Sequence, residues 1–212
     1  MSGLEDEVLK NGINRLRIGL DIDSVIADTQ KSWAAYIKSQ DGVCHTAREG
    51  FSYDAKPDGW DYWTAICDTC FDHVLHNRER CMELELHEGA LGVINNLSKF
   101  CDLYVLTSRP EVIHKHTIAW LEKKGIYQHI QEAIFSHDKE EDCNRLDLHY
   151  HLDDSPRQLE AIGSKSNTQA LIFDTDYNKE VLGIRFYNWQ QVLRYLSAAN
   201  TIRKFELGSH AP

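Results

Sequence analysis

Three apolar runs in this 212-residue chain end in groups that can bind cations or anions. They read Leu20-Asp21-Ile22-Asp23-Ser24-Val25, Val105-Leu106-Thr107-Ser108-Arg109-Pro110 and His151-Leu152-Asp153-Asp154-Ser155-Pro156. Asp21 and Asp23 stand two apart, a spacing that points both the same way from a strand. Alone, an Asp-x-Asp pair is weak, because Asp is common at strand ends and turns. Its weight comes from its partners. Adjacent like charges such as Asp153 and Asp154 are unfavourable unless a cation or hydrogen bonds compensate them. Carboxylate oxygens select a hard ion, Mg²⁺ rather than zinc. Thr107 and Ser108 offer hydroxyls and backbone N–H groups suited to a phosphate.

These groups meet only if the runs are neighbouring strands of one sheet. Residues 16–21 and 103–107 read as buried parallel strands, with further strands at 133–135, 148–152, 170–173 and 184–187. Helical spacing places Ile113, Thr117, Trp120 and Leu121 on one face of a helix over 111–124, which Gly125 stops. A second helix starts at Pro156 behind a Ser155 cap and turns Leu159 and Ile162 inward. A third follows Asn188 with Trp189, Val192, Leu193 and Leu196 on one face. Strands alternating with helices predict an α/β fold, a parallel sheet with right-handed crossovers. Open sheets of this kind bind ligands beyond the carboxyl ends of their strands.

The stretch 27–86 breaks the rhythm. It has helical pieces at 29–39 and 62–80 around an irregular segment, and it holds three of the five tryptophans. It reads as a small, mostly helical cap inserted after the first strand. The expected organisation is an N-terminal extension (1–15), a core (16–26 and 87–205), the cap (27–86) and a tail (206–212). On its return the chain enters a core helix carrying Leu91, Ile94 and Leu97.

A net charge of −10 argues against nucleic-acid polymers and anionic membranes as partners, though not against a small phosphorylated substrate beside a cation and a lysine. No apolar run approaches the roughly 20 residues of a membrane span. The polar start lacks a signal-peptide pattern, and six scattered cysteines read as free thiols. These features predict a cytoplasmic protein; a homodimer is compatible with them.

The ordered motifs resemble the haloacid-dehalogenase-like phosphohydrolases, and within them the 5′(3′)-deoxyribonucleotidase-like branch. The resemblance spans residues 16–198. It implies a Rossmann-like core in which Asp21 attacks phosphorus to form an aspartyl-phosphate, and Asp23 acts as acid and then base. It further implies that Asp21, the main-chain carbonyl of Asp23, and Asp153 or Asp154 hold Mg²⁺, while Thr107, Ser108 and a lysine bind phosphate. Lys139 resembles the Asp-Lys motif of the branch but departs from it in a longer gap, 14 residues before Asp153, and in His137 where a basic residue often stands; Lys115 is a rival. The implied substrate is a nucleoside or deoxynucleoside monophosphate. Another small phosphomonoester, or a catalytically silent binding domain, are the alternatives.

Other residues weigh less. Phe51, Tyr53, Trp60, Tyr62 and Trp63 could stack on a nucleobase or fill the cap's own core; Phe51, Trp60 and Trp63 are the candidates for substrate contact. Cys67, Cys70, His73 and His76 step about 60° apart around a continuous helix and cannot converge on one ion. Strand alternation accounts for His149 and His151, a turn accounts for Asp174 and Asp176, and Arg109 reads as a strand exit, a salt-bridge partner or a substrate contact.

Overall fold

A computed structural model describes residues 15–32 and 72–208 of the chain. The described strands form one parallel six-stranded sheet: β1 (Leu16–Leu20), β2 (Cys101–Thr107), β3 (Glu132–Phe135), β4 (Tyr150–Asp153), β5 (Gln169–Phe173) and β6 (Ile184–Phe186). Their spatial order is β3-β2-β1-β4-β5-β6. The chain thus steps outward from β1 to β3, then crosses back to β4 and steps outward the other way. Connections diverge on the two sides of β1, and the crevice left there is where open sheets bind ligands.

Helices cover both faces: α1 (Arg78–Glu83), α2 (Ala90–Leu97), α3 (His114–Lys123), α4 (Lys139–Arg145), α5 (Pro156–Lys165) and α6 (Trp189–Gly208). The larger core joins Ile18, Leu20, Leu103 and Val105 to Ile94 and Leu97 of α2, Trp120 and Leu121 of α3, and Trp189, Val192 and Leu196 of α6. A smaller core packs Leu106, Ile134 and Leu148 with Cys143 of α4 and Ile162 of α5. Burying these side chains contributes about 1.5–3 kcal/mol each. A sheet buried on both faces explains why β1 and β2 read as continuous apolar runs. No helix among the described residues is long and apolar enough to cross a membrane.

Register sets the strand ends. Leu20 pairs with Val105 on one side and Leu152 on the other, and the Asp21 N–H extends the ladder to the Leu152 carbonyl at 2.9 Å. Asp21, Thr107 and Asp153 therefore leave three adjacent strands within a residue or two of one level. Gly19 is opposite His151, and a Cβ there would lie 2.3 Å from the imidazole Nδ1. Only glycine leaves room for the ring.

Beyond β1 the chain turns on the Ile22 carbonyl, which accepts from the N–H groups of Ile26 and Ala27 at 2.9 and 2.8 Å. Ser24 lies in the left-handed region (φ 60°), and its N–H donates to Thr29 Oγ1 at 2.8 Å. The outgoing and returning chains meet at an antiparallel bridge between Ala27 and Leu86, where Asp28 N–H donates to the Glu85 carbonyl and His87 N–H to that of Ile26, both at 2.9 Å. Two buried indoles hold the flanks: Trp189 Nε1 donates to the Val25 carbonyl, and Trp120 Nε1 to that of Leu84.

Several local expectations change. The helix expected to run through residue 80 is broken: a π-turn covers Asp72–His76, and Asn77 caps α1 by accepting from the Arg80 N–H. The helix expected from residue 111 opens with a 3₁₀ turn, Glu111–Ile113. Leu91 is exposed and Val93 takes its inward place, because α2 starts at Ala90 and fixes a different face. Ser155 occupies the N-cap position of α5 without a side-chain capping bond. Cys81, Cys101 and Cys143 are free and buried.

Candidate active site

A cleft of about 290 Å³ opens over the carboxyl ends of β1, β2 and β4. Asp21, Asp23, Thr107, Ser108, Lys139, Asp153 and Asp154 all line it. A larger hollow of about 460 Å³ lies between α5 and residues 181–183, where Leu159, Ile172, Val181 and Leu182 give it a largely apolar wall.

Lys139 anchors the buried side of the cleft. It opens α4, and its ammonium bridges Asp21 Oδ1 at 2.6 Å and Asp153 Oδ2 at 2.7 Å. The rival Lys115 is exposed on α3. Burial opposes the Lys139 charge, yet Asp153 and Asp21 outweigh it and hold the amine above its ordinary range. Asp153 Oδ2 also receives His151 Nε2 at 3.0 Å, and Asp153 Oδ1 accepts the Ser155 N–H at 2.9 Å. Burial alone would raise the Asp153 carboxyl; Lys139 and His151 reverse this and hold it well below the usual range. Burial depresses the basicity of His151, and its contact with Asp153 opposes that shift.

The other two carboxylates are less well compensated. Burial pushes Asp21 up to about 7 despite Lys139, with Asp153 and Asp23 adding to the rise. Burial, then the charges of Asp153 and Asp21, push Asp154 well above the carboxylate range. Asp154 accepts a hydrogen bond from the Tyr177 hydroxyl, and its carbonyl accepts Asn178 Nδ2 at 2.8 Å. Oxygens of Asp21, Asp153 and Asp154 lie within 4.8 Å of one another. Three buried carboxylates share one lysine, and their donors are all oxygen. That charge excess and donor set fit a hard divalent cation such as Mg²⁺.

On the β2 side, Thr107 is buried and its Oγ1 accepts the Arg109 N–H at 3.3 Å. Ser108 Oγ donates to the Ser136 carbonyl at 3.2 Å. Gln158 of α5 reaches Ser108 Oγ at 3.4 Å and the His137 carbonyl at 3.2 Å. Arg109 does not enter the cleft as a free cation. Its guanidinium is buried and grips Asp23 through Nε and Nη2, each at 2.8 Å.

The cleft thus holds a carboxylate beside a buried lysine, two strand-end hydroxyl residues, and a second carboxylate held apart by arginine. Such a set can bind a phosphate, neutralise its charge and present a nucleophile to it. Phe51, Tyr53, Trp60, Tyr62, Trp63, Cys67 and Cys70 lie outside the described residues. Sequence reasoning missed the pairings of His151, Gln158 and Tyr177; it allowed Arg109 a salt bridge without naming Asp23 as the partner. His151 carried a signal, since a residue two before Asp153 in a strand shares its face. Tyr177 carried none, because its contact depends on how the loop after β5 folds over β4.

Residues 14–202 match the family described as 5′ nucleotidase, deoxy (pyrimidine), cytosolic type C protein. The chain is 25% identical over 183 residues to the 5′(3′)-deoxyribonucleotidase of Bacillus subtilis, a match covering 84% of this chain and 97% of that protein. It is 30% identical over 114 residues to an Oceanobacillus iheyensis protein named as a nucleotidase, covering 51% of this chain and 60% of the relative, less than two thirds of its length. Among solved structures, a haloacid dehalogenase-like hydrolase from Streptococcus pneumoniae superposes with a TM-score of 0.59 at 14% identity, over 86% of this chain and 99% of that one, and so shares its fold. The chain belongs to the 5′-nucleotidase family, with a haloacid-dehalogenase-like Rossmann core, and stands with it among the hydrolases of phosphoric monoesters.

Proposed function

We propose that this protein hydrolyses nucleoside or deoxynucleoside 5′-monophosphates in a Mg²⁺-dependent reaction through an aspartyl-phosphate on Asp21. The observation that carries this reading is the buried Asp21–Lys139–Asp153 arrangement at the ends of β1 and β4, facing the Thr107–Ser108 strand end across one cleft. Asp21, directly after β1, is bonded to Lys139 and lines the cleft.

Thr107, Ser108 and Lys139 would hold the phosphate oxygens and set phosphorus in line with an Asp21 oxygen. Positioning and charge neutralisation matter most in a loose phosphoryl-transfer transition state. Asp23 would protonate the departing ester oxygen, then take a proton from the water that hydrolyses the acyl phosphate. General acid–base help of this kind contributes roughly 10²–10⁴-fold. Asp21, Asp153, Asp154 and the Asp23 carbonyl would hold Mg²⁺, which when bound supplies charge neutralisation and orientation for the phosphate. The reading assigns residues 27–86 to a cap over the cleft, in which Phe51, Trp60 or Trp63 stacks on the base, and places the protein in the cytoplasm.

The test is a turnover panel of nucleoside monophosphates, sugar phosphates and p-nitrophenyl phosphate, each with Mg²⁺ and with EDTA. Nucleotides should be hydrolysed fastest and only with the metal. Asp21→Asn should lower kcat at least 10³-fold with an unchanged melting curve; more than a few per cent of residual activity would refute covalent catalysis there.

A further inference from the structure

We propose that Arg109 is a positioning residue that clamps the Asp23 carboxylate in the orientation its proton transfers need. The proposal rests on the reading of Asp23 as the acid–base group. Its own support is geometric. The Arg109 side chain is fully buried, whereas that of Asp23 is 23% exposed at the cleft. A buried cation is costly unless paired, and the carboxylate that pairs it here is Asp23, held by two bonds of equal length.

The guanidinium is itself fixed from several sides. Nη1 donates to Thr117 Oγ1 at 3.2 Å, and that hydroxyl in turn donates to the Ile113 carbonyl at 3.0 Å. The Trp120 ring lies 5.8 Å from the guanidinium carbon. The Arg109 N–H is tied to Thr107 Oγ1, so the clamp and the phosphate-binding strand end form one unit. Carboxylate rotation in Asp is broad and roughly two-fold. A planar fork bonding both oxygens removes that freedom, which a lysine's single ammonium cannot do.

Orientation matters in both halves of the reaction. As an Asp21 oxygen bonds phosphorus, the ester P–O bond breaks, its electron pair stays on the leaving oxygen, and the Asp23 proton moves there. In the return step a water oxygen bonds phosphorus, the Asp21–phosphorus bond breaks with its pair returning to Asp21, and the water proton passes to Asp23.

The test is a cycle of wild type, Asp23→Asn, Arg109→Gln and the double variant. It measures kcat and KM with Mg²⁺ on a nucleoside monophosphate and on p-nitrophenyl phosphate, whose leaving group departs without a proton. Arg109→Gln should lower kcat on the nucleotide by about 10²-fold, the scale of general acid–base catalysis, with KM little changed and a smaller loss on p-nitrophenyl phosphate. The double variant should be no slower than Asp23→Asn alone. Arg109→Lys, which keeps the charge should the glutamine variant fold poorly, should recover only part of the loss. Multiplied losses in the double variant, equal losses on both substrates, or full activity of Arg109→Lys would overturn the clamp alone. Undiminished turnover by Asp23→Asn would overturn the acid–base reading and the clamp with it.

Discussion

β4 and β5 are neighbours, and both end in acidic residues, yet the two ends are built differently. At β5, Asp174 is paired with Lys179 at 2.5 Å and Arg185 at 2.8 Å, and Lys179 also lies 4.0 Å from Asp176. Two acids meet two cations from the same stretch of chain, and Lys179 reaches solvent. At β4, Asp153 and Asp154 are buried with Asp21, and the ammonium among them is Lys139, which bonds Asp21 and Asp153. One end is electrically closed, and the other gathers three buried carboxyl groups around one ammonium. An Asp pair at a strand end is thus a candidate site when its own loop fails to neutralise it.

The largest effect expected from that contrast comes from removing Lys139. Lys139→Met leaves two buried carboxylates without their counter-ion, and kcat should fall about 10²–10³-fold, the loss typical of removing one group that stabilises transition-state charge. Initial rates at saturating nucleotide would measure it; a loss under ten-fold would place the phosphate lysine elsewhere. A divalent cation should act only at the open end. With Mg²⁺ at about 100 times its Kd, binding adds about 2.7 kcal/mol of stability, a rise in Tm of roughly 5–10 °C for a chain of this size. Asp153→Asn should shrink that rise and Asp174→Asn should not, in parallel thermal melts with Mg²⁺ and EDTA. The smallest effect belongs to the closed end. Asp174→Asn should change kcat less than two-fold and cost about 1 kcal/mol, the scale of one partly buried charged hydrogen bond. A large loss of turnover there would mean that the β5 loop positions Asp154 through Tyr177.

Much of this architecture is legible from sequence because strand burial on both faces leaves long apolar runs, and polar groups at their ends then share one edge of the sheet. The convergence of Asp21, Thr107 and Asp153 follows from that rule and from β1 lying between β2 and β4. What sequence does not carry is the pairing of charges across distant segments. Arg109 looks like a strand exit until α3 supplies Thr117 and Trp120 around its guanidinium. His151 looks like alternation until Gly19 leaves the space that lets it face Asp153. Leu91 and Val93 point about 200° apart on a helix, and periodicity alone cannot choose which of them faces the core before the first turn of α2 is placed.

The bridge at Ala27 and Leu86 closes a long excursion of the chain at the edge of the core. Its two ends are stitched together by backbone hydrogen bonds on the core side, and Val74, Leu75, Cys81 and Leu84 of the returning arm are buried in the larger core. Loop-closure entropy changes by only about 0.6 kcal/mol for each doubling of such a length. A change in the number of residues ahead of that buried arm therefore costs little closure entropy, while the ends of β1, β2 and β4 stay in register. Chain length outside the stitch and strand register inside it can vary on separate clocks.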